Sequence, residues 1–173
     1  MLGPEHPRTA DSLDNLGILL QTLGDPAGAR PLHERALAIR EKALGPEHPG
    51  TATSLNNLAK SLLLKGDLTG ARPLYERALA IGGKTLAPEH PNTNRARSNL
   101  SRLLLMSGQP TEAFAASETA LIAHDKVLGR DHRWTKDSAR VTADALDALG
   151  RTEEAKALRE RYGLTPPEKP QSS

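Results

Sequence analysis

The chain has no cysteine among its 173 residues, which excludes disulfide staples and thiolate chemistry. Aromatic side chains are nearly missing as well, being limited to Tyr75, Phe114, Trp134 and Tyr162. Such a core must be packed by Leu and Ala, as closely stacked helices allow, and it offers few platforms for base stacking. No apolar run approaches the roughly 18 residues of a membrane helix, and the N-terminus lacks the apolar centre of a signal peptide. No membrane contact is therefore expected, and the cytoplasm is the expected location. Neither sign of charge dominates: the formal net charge of +2 is too small to argue for nucleic acid.

What the sequence has is repetition. Leu-Gly-Pro-Glu-His-Pro stands at residues 2–7 and returns at 44–49, then as Leu-Ala-Pro-Glu-His-Pro at 86–91 and Leu-Gly-Arg-Asp-His-Arg at 128–133. Each step is 42 residues, and 27 of 42 positions are identical between residues 2–43 and 44–85, so the units share one structure. A fixed period of this length predicts a solenoid of one supersecondary unit stacked on its own copies. The repeats run over about 2–43, 44–85, 86–127 and 128–163, forming one domain over 1–163. Residues 164–173 are polar and Pro-rich, and are expected to be a disordered tail. Met1 leads straight into a junction block, which leaves open whether the chain is whole or a piece of a longer array.

Each unit predicts two helices. Leu13, Leu16 and Leu20 recur at i, i+3 and i+7 between Pro7 and Leu23, and Gly24 supplies the stop that Gly66, Gly108 and Gly150 repeat. Asp25 and Pro26 then suit the N-cap and first position of a second helix, which ends at Gly45-Pro46. Pro31 and Pro73 fall inside the second helices and should bend them slightly. Gly82-Gly83 replaces Arg40-Glu41 and should soften its helix by about 1 kcal/mol per glycine. The charged helix over residues 152–162 reads as a solubilising end.

Small residues recur where helices must approach: Gly17, Ala59, Ser101 and Ala143 share one register, and Ala29, Ala71, Ala113 and Ala155 another. Together with Leu55-Asn-Asn-Leu-Ala59, Glu34-Arg-Ala-Leu-Ala-Ile-Arg-Glu-Lys42 and the Gly-Pro-Glu-His-Pro junction, this pattern resembles the tetratricopeptide repeat in its 42-residue, kinesin-light-chain-like class. The resemblance implies an all-α, right-handed superhelix of four helix-turn-helix repeats. It further implies a non-enzymatic scaffold that holds a peptide segment of a partner protein in its concave groove. The alternative it leaves open is the regulatory or sensor tail of a larger signalling NTPase. Coiled-coil heptads of the kind that join a kinesin light chain to its motor are absent from the sequence.

No Ser/His/Asp or Cys/His set and no phosphate-cradling glycine loop appears, so neither catalysis nor a cofactor is expected. His6, His48, His90 and His132 each follow an acid, but copies one repeat apart cannot converge on a metal, and a structural role at the turn is expected instead. In the resemblance, Asn15, Asn57 and Asn99 face the groove and pair with a peptide backbone, with Val141 breaking the series. Helical register adds Asp11, Asp14 and Ile18, then Asn56, Lys60 and Leu64, then Arg95, Ser98, Arg102 and Met106, then Asp137, Arg140 and Asp144 to that face. The groove is thus expected to be basic at its middle over an apolar floor, matching a peptide with an acidic residue beside an apolar anchor. The N-terminal end is expected to expose apolar surface through which a second copy could pair.

Overall fold

The histidine of every junction block opens a helix. In the computed structural model, which describes residues 3–165, His6, His48, His90 and His132 are extended N-caps. Their Nδ1 atoms accept from the backbone N–H of Arg8 (3.1 Å), Gly50 (3.0 Å), Asn92 (3.2 Å) and Trp134 (3.2 Å), which satisfies one orphan donor of each first turn. Glu5, Glu47 and Glu89 of the same blocks pair with Lys42, Lys84 and Lys126 near the end of the following second helix.

Eight helices result among the described residues: α1 Pro7–Thr22, α2 Pro26–Leu44, α3 Pro49–Leu64, α4 Leu68–Thr85, α5 Pro91–Met106, α6 Pro110–Leu128, α7 Arg133–Ala148 and α8 Thr152–Arg161. Within each pair the turn is a Schellman motif. Gly24, Gly66, Gly108 and Gly150 take φ between 72° and 84°, and the next residue's N–H returns to the carbonyl five positions back, as from Asp25 to Leu20 at 2.8 Å. Asp25 and Asp67 then cap α2 and α4 by accepting from Gly28 N (2.8 Å) and Gly70 N (2.9 Å). Pro31 and Pro73 each remove one ladder bond, and α2 and α4 continue through them.

The backbones of neighbouring odd-numbered helices approach one another along the array, whereas among the described residues no two even-numbered backbones do. The odd helices therefore form the inner layer and the even ones the outer. Helices α2, α4 and α6 each pack into the notch between their own partner and the next odd helix, where Ala29, Ala71 and Ala113 are fully buried, and α8 packs on α7 through Ala155. Leu164 packs with Tyr162 against Leu121 and Ala139 and closes the last repeat. The rest of the segment expected to be a disordered tail, residues 166–173, lies outside the described residues. In α8 the charge is not all solvated: Arg159 turns back onto Asp144 (2.8 Å) and Asp147 (2.7 Å) of α7.

The two adjacent glycines of α4 differ in role. A Cβ on Gly82 would clash with the Thr93 side chain of α5, whereas one on Gly83 would meet nothing within 4 Å. Gly82 is thus required by the close approach of α4 to α5. Gly82→Ala is expected to cost about 1–3 kcal/mol through overpacking. Gly83→Ala should instead stabilise by up to about 1 kcal/mol through helix propensity. Urea denaturation of the two variants checks this pair, and equal effects of one sign would disprove the distinction.

Candidate functional site

The inner layer encloses a cavity of about 350 Å³ to which all four repeats contribute. Ile18 and Gln21 come from α1, Asn57 and Lys60 from α3, and Arg95, Asn99 and Arg102 from α5. From α7 come Arg133, Trp134, Asp137 and Arg140. These side chains converge because residues one repeat apart occupy equivalent places on neighbouring inner helices.

Arg95 is the organising group. Its Nη2 donates to Asn57 Oδ1 at 2.6 Å, and its guanidinium lies over the Trp134 ring, 5.0 Å from the centroid. The amide oxygen of Asn56, turned toward it, accepts from Arg95 Nε (3.1 Å) and Nη2 (2.7 Å). Burial lowers the pKa of Arg95 below that of a free arginine. Asn57 is left half-satisfied: its oxygen is taken by Arg95, while its Nδ2, 3% of the residue being exposed, has no partner. An orphan donor of that kind costs about 1–3 kcal/mol until something accepts from it.

Lys60 stands beside this pair with no ion-pair partner among the described residues. Its pKa is lowered, first by burial and then by the charge of Arg95, with Arg102 and Arg133 adding to the effect and Asp137 opposing it. Asp137 is held by Arg102 at 2.9 Å and approached by Arg140 at 3.8 Å. The cavity thus presents converging cations, an unpaired amide donor and one aromatic wall.

Of the residues expected at the site, the structure brings Asn57, Lys60, Arg95, Asn99 and Arg102 together around this cavity. Asn56 lies beneath it, buried and engaged with Arg95. Asn15 is exposed on α1, where no preceding repeat packs among the described residues. Leu64 and Met106 are half-exposed one turn beyond Lys60 and Arg102 and do not line the cavity. The expected apolar floor is therefore corrected: the floor is amide, and the apolar contribution comes from Trp134 and Ile18.

Three of the acids expected on this face are occupied elsewhere, Asp11 by Arg40 at 2.7 Å. Asp14 is buried between α1, α2 and α3, accepting from His33 Nδ1 (2.8 Å), from Ser54 Oγ (3.1 Å) and from Arg40. Asp144 is taken by Arg159. Ser98, also expected on the face, is buried. Gln21, Arg133 and Trp134 are cavity residues that the helical register missed. The signal for Trp134 was its being the one tryptophan of the chain at a position where the other repeats carry Arg8, Gly50 and Asn92.

A larger groove of about 740 Å³ lies on the outside between α6 and α8, against Phe114, Ile122, Leu158 and Tyr162. Its charged groups are largely neutralised: Arg151 pairs with Glu154 (2.7 Å), Lys126 with Glu89 (2.6 Å), and Tyr162 Oη donates to Asp125 (2.8 Å). It lacks the converging unpaired groups that mark the inner cavity. Among the described residues, no group of three His, Cys, Asp or Glu could hold a metal ion. No helix there is long and apolar enough to cross a membrane.

The tetratricopeptide repeat model matches this chain over residues 2–42, 21–82, 59–121 and 92–162. Two crystal structures, one of a point variant, show a Podosopora anserina protein described as a kinesin light chain with nearly identical TPR-like repeats. The variant is 32% identical over 91% of this chain and 74% of that one, with a TM-score of 0.78. The other is 30% identical over 95% and 81%, also at 0.78. BtubC (BKLC) from P. vanneervenii shares the fold at 20% identity over 95% of this chain and 68% of that one, with a TM-score of 0.73. No curated protein matches the chain.

Proposed function

Because the chain belongs to the tetratricopeptide repeat family, in its kinesin-light-chain-like class, whose repeats typically serve protein–protein interaction, we propose that it is a scaffold holding an extended, acidic segment of a partner protein in the inner cavity. The observation that carries this reading is the Asn57 amide, which lines the cavity with its oxygen bound to Arg95 and its donor unpaired. An amide in that state suits a backbone carbonyl or a carboxylate equally. Lys60 and Arg95 beside it favour an anionic side chain. Trp134 offers an aromatic wall against which a neighbouring residue of the segment would pack.

A random-peptide display screen on the intact chain tests this. Enrichment of acidic sequences, reduced about tenfold by Asn57→Ala, is the expected outcome, since a lost charge-assisted hydrogen bond has that order of effect. Enrichment indifferent to Asn57 and Lys60 would remove the cavity from the account.

A second contact is favoured by α1, where Leu16, Leu19 and Leu23 are 47%, 52% and 72% exposed while the equivalent Leu58 and Ser61 are buried by the preceding repeat. Another tetratricopeptide unit, including one from a second copy, would fit that stripe. Sedimentation over a range of concentrations decides the case of a second copy. A single monomeric species throughout would rule out self-pairing.

A further inference from the structure

The inner cavity carries more positive charge than one carboxylate can neutralise. Five cations, Lys60, Arg95, Arg102, Arg133 and Arg140, face the single acid Asp137. Arg102 and Arg140 share that acid. Lys60, Arg95 and Arg133 have no carboxylate within ion-pair distance among the described residues. The rest of the surface is different in kind. Its ion pairs give each paired cation an acid of its own, as between Arg30 and Glu34 or Arg77 and Glu41, with Arg40 and Arg159 each meeting two, and the whole chain has a net charge of only +2. The surplus is therefore local to a cavity of about 350 Å³ and does not extend as a track along which a polyanion could lie.

Resting on the groove reading above, we propose that this cavity is an anion subsite for a phosphomonoester, carried on a phosphorylated side chain of the partner segment. A phosphoryl group brings about −1.5 to −2 charges and three acceptor oxygens, against −1 and two oxygens for a carboxylate. The donors are arranged for the larger count. Asn57 lines the cavity, and its Nδ2 is buried there without a partner. Lys60 is a compact charge beside it, its pKa lowered first by burial and then by the charge of Arg95. Arg95 is held in place by Asn57, Asn56 and the Trp134 face. With its Nε and Nη2 donors taken by these amides, the fixed guanidinium keeps Nη1 to meet a phosphate oxygen.

Trp134 is the only tryptophan, so its emission reports on the cavity alone. Two experiments on the intact chain test the proposal. The first titrates inorganic phosphate against chloride at equal ionic strength and follows Trp134 fluorescence. The second passes three degenerate peptide libraries over the immobilised protein, with phosphoserine, aspartate or serine fixed at the centre. The phosphoserine library should be retained about tenfold over the aspartate library, in line with the doubled charge, and Lys60→Gln or Arg133→Gln should each reduce that preference while leaving the melting temperature unchanged.

Equal retention of the aspartate and phosphoserine libraries would overturn the phosphate assignment and leave the acidic-peptide groove standing. Retention of none would overturn both readings. A phosphate response without retention of the phosphoserine library would assign the subsite to free phosphate compounds and overturn the peptide part. Competition by oligouridylate at concentrations as low as those of the phosphopeptides would point to a nucleic-acid backbone and overturn the proposal.

Discussion

Asp14→Ala is expected to destabilise the array by about 3–5 kcal/mol, the penalty for removing one partner of a buried ion pair. Asp14 is buried and accepts from His33, Ser54 and Arg40 at once. Those partners come from α2 and α3, so one carboxylate on α1 ties the first two repeats together. Without it, the buried Arg40 guanidinium keeps only Asp11 (2.7 Å), which is largely exposed, and Ser54. His33 Nδ1 loses its acceptor. Asp11→Ala is the matched control and should cost less than about 1 kcal/mol, as a solvent-screened pair does.

The same carboxylate shapes the acid response. Burial raises the pKa of Asp14, but the hydrogen bonds from His33 and Arg40 and the charge of Arg40 outweigh it, and the net direction is downward. A carboxylate depressed in the folded state contributes stability above its unfolded pKa of about 3.9, and that contribution is lost as pH falls through the folded value. Urea denaturation from pH 7 to pH 3 should show this decline in the native chain and a shallower one in Asp14→Ala. A variant as stable as the native chain at pH 7 would disprove the role assigned to Asp14.

Lys60→Glu is expected to lower the affinity for acidic segments by about a hundredfold, since it both removes an attractive charge and adds a repulsive one in a partly desolvated site. The new carboxylate would also pair with Arg95 or Arg102 and fill the subsite from within. Lys60→Arg should keep most of the binding and separate charge from shape. Because the pKa of Lys60 is lowered by burial and by the neighbouring cations, affinity should fall on the alkaline side at a pH below the 10.5 of an ordinary lysine. In Lys60→Arg that alkaline fall should vanish. Fluorescence anisotropy of an acidic peptide recovered from display, measured between pH 7 and pH 10, reads both effects. An affinity unchanged by Lys60→Glu would move the binding surface off this cavity.

The fold was legible because its signals are local and recur. A histidine before each odd helix, a glycine after it and an alanine on each even helix act within a few residues of themselves, so four copies of one pattern imply four copies of one structure. The site was legible only in part. Lys60, Arg95 and Arg102 could be placed on the inner face by helical register, which fixes direction around a helix axis. Register does not say what stands opposite. It put Asp14 on the groove face, where the structure buries it beneath His33 and Arg40, two residues that the second repeat replaces with Tyr75 and Gly82. It also passed over Trp134, whose ring reaches Arg95 from the next repeat.

The sequence by itself therefore determined the repeat length and the helices with their caps, because backbone hydrogen bonding and apolar periodicity are short-range. Only the tertiary structure decided which charges are paired, which amide is left without a partner, and which cations converge on one cavity. Those outcomes depend on the distance between residues 35 to 45 positions apart, such as Asn57 with Arg95 and Arg102 with Asp137. That distance is set by how one repeat seats on the next.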